Sequence, residues 1–448
     1  MSRATQQEQR GRRLTLAKGL RFACQQCGDC CRSTPVMLTP DEAARYAARD
    51  WSPVLGRPVV TVQDVATVAG VQGTFLRRKP EDGTCVFLGP DALCEVHRHL
   101  GEQEKPLTCR TFPFRFVPGA EGPGTVAAHF SCSSIAAGDA GQVPARRALE
   151  ELHAEVTRLR AGEPAPGPAT FDRKLSYPRL QVEELLDYMV KELEDAGRPF
   201  PDRLLAVVKF TSLVAGSRLP RLDAGGPRPL VSAFAAGIHE QALRGLLRSD
   251  GLPPSLPERI LFRQLLAMGL RRDPANLATA GVLRRSVRRF GNLLAGLSFL
   301  AGSGAFVPVG RTRRVALGEV RRLAPPADPA SPEADGALTR YFIGQLSGRI
   351  LLSPGFGVPQ LLPALGLLFR QYPIVLLLAR AACLARGGAA LERDDYASAL
   401  RTASWSFGLV PWTRGPIGRV RGRILADVEA CFAHVPWCAG QPAPAARP

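Results

Sequence analysis

The residues best suited to chemistry are cysteines near the start of the chain. "FACQQCGDCCRSTP" (22–35) puts Cys24, Cys27, Cys30 and Cys31 into one short stretch. Cys85, Cys94, Cys109 and Cys132 follow, separated by eight, fourteen and twenty-two residues. Thiolates are soft donors that select zinc and iron–sulfur centres. Cys24-x2-Cys27-x2-Cys30 matches the first three positions of the bacterial ferredoxin run, and Thr34-Pro35 stands where that run has its fourth cysteine and proline. In ferredoxins the fourth cysteine serves a different cluster, so the three-cysteine loop makes sense without it. Two-residue spacing lets a tight loop curl around one cluster face, and Gly28 helps it turn. The remaining ligand must come from Cys31, Cys85, Cys94, Cys109 or Cys132.

Zinc is the rival. A structural zinc site takes four ligands, commonly as two close pairs. Cys24-x2-Cys27 makes one such pair, but Cys85-x8-Cys94 is too widely spaced for an ordinary second one. The adjacent Cys30 and Cys31 point their thiols in different directions, which suits two sites or a cluster better than one zinc. Iron–sulfur is therefore favoured over zinc, and both over disulfides. The first twenty residues lack the apolar core of a signal peptide. A reducing cytoplasm is expected, where clustered cysteines mean metal or redox chemistry.

The same residues carry a resemblance. "FACQQCGDCC", "CVFL", "CEVH" and "CRTFPF" resemble the YkgJ-type cysteine-cluster family, a zinc- or iron-chelating domain with eight cysteines. All eight carry over: Cys24, Cys27, Cys30, Cys31, Cys85, Cys94, Cys109 and Cys132. Two positions depart from the pattern: His97 replaces a tyrosine and Lys105-Pro106 an Arg-Pro. His97 reads as a substitute for a packing aromatic rather than an added ligand. More loosely, the length and the C-terminal "LERDDYASALRTASWSFG" resemble the flagellin lysine-N-methylases. That implies S-adenosylmethionine as cofactor and a protein lysine as substrate. The rival is a non-enzymatic metal or electron-transfer module that docks a partner protein. No glycine fingerprint for the cofactor follows a strand, and "PGAEGPG" (118–124) reads as a turn. No catalytic residue is assigned.

Other candidates are weaker. His129 is the one other reasonable ligand. Cys383, Cys431 and Cys438 read as core or surface thiols. The six histidines form no H-E-x-x-H or triad pattern. The net charge is +18 and no lysine follows Lys209. A basic chain attracts polyanions, but "RRSVRRF" (284–290) and "RTRR" (311–314) read as solvated faces. No nucleic-acid motif is present.

The elements that position the cysteines must be irregular. Residues 1–19 read as a basic disordered tail and 20–140 as the cysteine-cluster metal-binding domain. Residues 144–438 read as a helical region and 439–448 as a second disordered tail. Within 20–140, Thr39, Pro40 and Glu42 announce a short helix over 40–49, and 59–69 and 84–88 read as short strands. Later, Leu149, Leu152, Val156 and Leu159 share a helix face. So do Val182, Leu185, Leu186, Met189 and Leu193. Ser255 and Glu258 form a capping-box pattern, and further helical runs fall at 202–217, 229–248, 338–352, 359–386, 394–407 and 420–433. The uncharged stretch 291–310 carries five glycines and Pro308, against a membrane span. The run from Leu361 to Leu384 reads as a buried helix. The fold class is mainly α: an irregular metal-binding N-terminal domain followed by a multi-helix region.

Overall fold

A computed structural model describes residues 13–217 except 69–70, 121, 139–140 and 162–165, then 254–269, 294, and 297–440 except 355, 406 and 408–411. The chain is mainly α, as expected.

The first long-lived local signal is the helix Pro40–Ala48. The Thr39 hydroxyl accepts from Glu42 N at 3.2 Å, and Glu42 Oε2 accepts from Thr39 N at 2.9 Å. Such a reciprocal cap is worth about 1 kcal/mol. The second oxygen of Glu42 accepts from Leu107 N at 2.6 Å. One carboxylate thus caps one helix and seats the start of another, Leu107–Thr111, which carries Cys109.

The strand expected at 59–69 is Val62–Val68, paired antiparallel with Val71–Leu76. The stretch 84–88 is not a strand. It makes two isolated bridges, Arg78 with Cys85 and Leu88 with Cys94. Its backbone bends tightly, with Leu88 N donating to Cys85 O at 3.0 Å, while Cys85 N is taken by Cys31 O at 2.8 Å. A segment whose first amide serves a loop cannot extend a ladder.

Residues 13–19, read as part of a loose tail, are held in the fold instead. Thr15–Leu16 runs parallel to Thr125–Ala128, which pairs antiparallel with Phe114–Val117. Leu14 and Ala17 are buried. Two alternating apolar residues leave too short a pattern to announce a strand.

The helices of the second part line up with the apolar periodicities. Arg146–Leu159, Arg179–Leu193 and Phe200–Ser217 precede Leu256–Gly269, while Pro332–Ser347, Arg393–Trp405 and Gly415–Ala426 follow. The run 359–386 divides into Leu361–Phe369 and Gln371–Arg386. Leu361–Arg386 is the one helical stretch among the described residues long and apolar enough to cross a membrane, and its most apolar eighteen residues are all buried in the helical body. Runs 229–248 and 284–290 lie outside the described residues, as does the tail beyond Gly440.

Two arginines interrupt that buried run because both have full sets of acceptors. Arg370 pairs with both oxygens of Glu258 at 2.8 and 2.7 Å. It also donates to the carbonyls of Gly366, Ile424 and Asp427 at 3.0, 2.9 and 3.0 Å. Arg380 donates to the carbonyls of Val320, Ala324 and Pro325 at about the end of the helix Leu317–Leu323, and to Cys438 O. Helix ends leave orphan carbonyls, and a guanidinium with five donors satisfies several at once. Glu258 therefore faces inward. Only half of the Ser255 capping box forms, with Glu258 N donating to Ser255 Oγ at 3.4 Å.

Two apolar cores result. The main one contains the helices and the three-stranded sheet, including Val117, Val126, Ala127 and Phe130. The second is small: Val36, Leu38, Tyr46, Trp51, Leu76, Cys85, Val86, Phe87 and Val96.

Candidate metal centre

Every one of the eight cysteines lies at the seam between these cores. Cys31, Cys94 and Cys109 pack against the small core, of which Cys85 is a buried member. Cys132 packs against the main core. Cys24, Cys27 and Cys30 are exposed on the loop between.

The loop is shaped by residues of fixed conformation. Gln26 and Gly28 have left-handed backbones, with φ of 52° and 68°. A Cβ on Gly28 would stand 2.9 Å from Ala92 O, so a glycine is needed for the turn and for the close approach to the segment before Cys94. The short helix Asp29–Ser33 then carries Cys30 and Cys31. Arg78 clamps its end, donating to Arg32 O at 2.6 Å and Thr34 O at 3.1 Å. Arg32 returns to Cys27 O at 2.5 Å.

The far cysteines come from separate turns. Cys94 N-caps the helix Glu95–Leu100, with Arg98 N donating to its carbonyl at 2.9 Å. Cys109 sits in the helix seated by Glu42. Cys132 N-caps the helix Ser133–Ala137, and two serines of that helix hold the loop. Ser133 Oγ lies 3.2 Å from Cys27 Sγ, and Ser134 Oγ accepts from Ala23 N at 3.3 Å.

The thiols interact in two groups. Cys30 Sγ and Cys31 Sγ are 3.9 Å apart. Their hydrogen bond lowers the Cys30 pKa and raises that of Cys31, which is raised further by burial and by Cys30, Cys85 and Cys94. Burial, with Cys94 adding to it, pushes Cys85 up to about 11. Cys109 is raised well above its ordinary value by burial, then by Cys85 and Cys94. Cys132 is pushed up to about 11 by burial, with Cys27 and Cys30 adding to it. One group is thus Cys31, Cys85, Cys94 and Cys109. The other is Cys27, Cys30 and Cys132, with Cys24 on the same loop, and Cys30 links the two groups because it also acts on Cys31, Cys85 and Cys109. Burial keeps these thiols neutral, and a bound cation is what would let them ionise.

The donors fit a soft metal in type and number. Their sulfurs are gathered rather than closed: among the described residues, no three Cys, His, Asp or Glu side chains already form the shell of one ion. His129 is half-buried, with Nδ1 2.6 Å from Ser131 Oγ, and desolvation, with Arg115 adding to it, pulls its pKa down to about 3. His97 is exposed, so it does not fill the place of a packing aromatic. Cys383, Cys431 and Cys438 are buried in the helical body, away from the seam. Arg311 and Arg313 are not free solvated charges, since they pair with Asp395 and Glu319.

Reading the sequence missed Asp29, Arg78 and Arg401. Asp29 and Arg401 form an ion pair between the loop and the helix Arg393–Trp405.

Residues 23–133 match the cysteine-cluster family model described as "Putative zinc- or iron-chelating domain". The match starts one residue before Cys24 and ends one after Cys132. Over that stretch the chain is similar to the CxxCxxCC cysteine-cluster domain. No curated protein and no solved structure matches the chain. The helical body therefore stands on its own geometry.

Proposed function

We propose that the chain is an iron–sulfur protein of the cytoplasm, with a cluster held by Cys24, Cys27, Cys30 and Cys132. The observation that carries this reading is the pairing of a ferredoxin-like three-cysteine loop with a remote fourth thiol. Cys132 belongs to the helix whose next residue, Ser133, touches Cys27. Four thiolates are the usual ligand set of a 4Fe–4S cluster. Bound there, such a cluster supplies one-electron transfer. The chain's own residues do the rest: Gly28 shapes the loop, Ser133 offers a hydroxyl to the Cys27 sulfur, and exposure of the loop leaves an edge open to a partner protein. The helical body, fixed to the loop through Asp29 and Arg401, is the partner-docking part.

The test is a redox titration of anaerobically isolated protein. Broad thiolate-to-iron absorption should bleach on reduction and return on oxidation. Cys132→Ser should abolish it, whereas Cys383→Ser should leave it intact. Absorption unchanged by Cys132→Ser would remove Cys132 from the ligand set.

Methyl transfer from S-adenosylmethionine to a protein lysine is the second reading. In its favour is the size of the helical body, residues 144–438, which exceeds what a chelating module requires. Calorimetry with S-adenosylmethionine separates the two. The module reading expects no heat, and saturable heat together with labelled protein lysine would replace it by the methylase.

A further inference from the structure

We propose that Cys31, Cys85, Cys94 and Cys109 form a second metal site, separate from the loop cluster, that takes one soft tetrahedral ion of the zinc class. The inference deepens the metal-binding reading and rests on it.

The first argument is packing. All four cysteines contact the same small core, whereas Cys132 contacts the main one. A ligand set shared by one metal has to converge on one volume, and these four already border one. The second is connection. Cys85 N bonds to Cys31 O at 2.8 Å, and Leu88 bridges to Cys94. Tyr46, a buried member of the same core, donates its hydroxyl to Glu104 O at 2.6 Å, five residues before Cys109. Thr108 Oγ1 donates to Met37 O at 2.7 Å, which fixes the helix of Cys109 to the same core.

The identity of the ion follows from what the site must do. The small core has nine buried members, too few to hold residues 31–109 by apolar burial alone. Small folds of this kind are held by a structural metal. A closed set of four thiolates without an open position is the pattern of structural zinc. The outer loop is exposed and suits a cluster that meets a partner, while the inner set, with Cys85 buried and the other three half-buried, suits an ion that does no chemistry.

The experiment measures iron, acid-labile sulfide and zinc in anaerobically purified full-length protein, and records zinc-edge X-ray absorption. Three proteins are compared: the natural chain, Cys24→Ser/Cys27→Ser, and Cys94→Ser. The natural chain should hold iron, sulfide and about one zinc with four sulfur ligands at about 2.3 Å. The loop variant should lose iron and sulfide but keep zinc and its four sulfurs. Cys94→Ser should lose zinc and keep iron and sulfide. If Cys94→Ser does not fold, the zinc-edge spectrum of the loop variant decides: four sulfurs support the site and fewer overturn it. Loss of both metals in parallel in either soluble variant would mean one shared centre and overturn the proposal. Iron with no zinc in the natural chain would overturn it as well. Zinc with no iron would instead remove the iron–sulfur reading of the loop and leave the inner site standing.

Discussion

Arg401 holds the carboxylate of Asp29, the residue just before Cys30, although 372 positions separate the two. The pair fixes the cysteine loop to a helix of the main core. Arg401 is mostly buried and Asp29 about a third exposed. Such a pair lies between the weak surface case and the costly buried one. Arg401→Met should loosen the loop without unfolding the helical body. The expected result is metal loss to a chelator several-fold faster, with the melting temperature of the helical signal nearly unchanged. Asp29→Asn should do the same, and the double variant should be no worse than either single one. Unchanged metal loss in both single variants would show that the loop is held otherwise.

Removal of the metals should separate the cores. The small core is continuous with the cysteines, and metal binding contributes folding free energy to such a region. Stripped protein should be cut by protease within residues 31–109 while most helical circular dichroism remains. Proportional loss of the whole helical signal would show one cooperative unit.

The Arg370–Glu258 pair is the costliest polar contact to break. Both side chains are buried, and His434 Nε2 lies 3.4 Å from Glu258 Oε1. Removing one partner leaves a buried charge alone, at a cost of about 3–5 kcal/mol. Glu258→Gln should therefore lower the unfolding midpoint sharply. Glu258→Met/Arg370→Met should lose much less than twice that amount. Additive losses would mean the two side chains act independently.

His129 gives the chain an acid limit. Its pKa falls from 6.5 to about 3, mainly because burial disfavours the charged ring, with Arg115 adding to it. A depressed pKa means the folded state binds the proton less well than the unfolded chain. The contribution is full above pH 6.5 and is lost progressively as the pH falls toward 3. Its size is on the order of a few kcal/mol. His129→Gln should flatten the fall in stability across that window, measured by denaturant titration at several pH values. An unchanged slope would assign acid sensitivity to other groups.

The contrast between Thr39 and Glu258 shows what the sequence could reveal. Thr39, Pro40 and Glu42 act on one another within a single turn, so their pattern was enough to place the helix. Ser255 and Glu258 show the same pattern, but Glu258 turns to Arg370, 112 positions away, and no local rule contains that partner. "TCVFL" (84–88) looked like a strand because its residues are mostly apolar, while its backbone is shaped by Cys31. The eight cysteines were legible from their types and spacing. Their division into two groups was not, because it depends on which core each segment packs against. Cys132 joins the loop through Ser133, and spacing alone left five cysteines as equal candidates for the remaining ligand.

The central claim is that the cysteine loop holds an iron–sulfur cluster, and iron and acid-labile sulfide content of the anaerobically purified chain tests it most directly. The account predicts brown protein with iron and sulfide in equal amounts, both lost in Cys132→Ser. Colourless protein with neither iron nor sulfide, prepared without exposure to air, would contradict it.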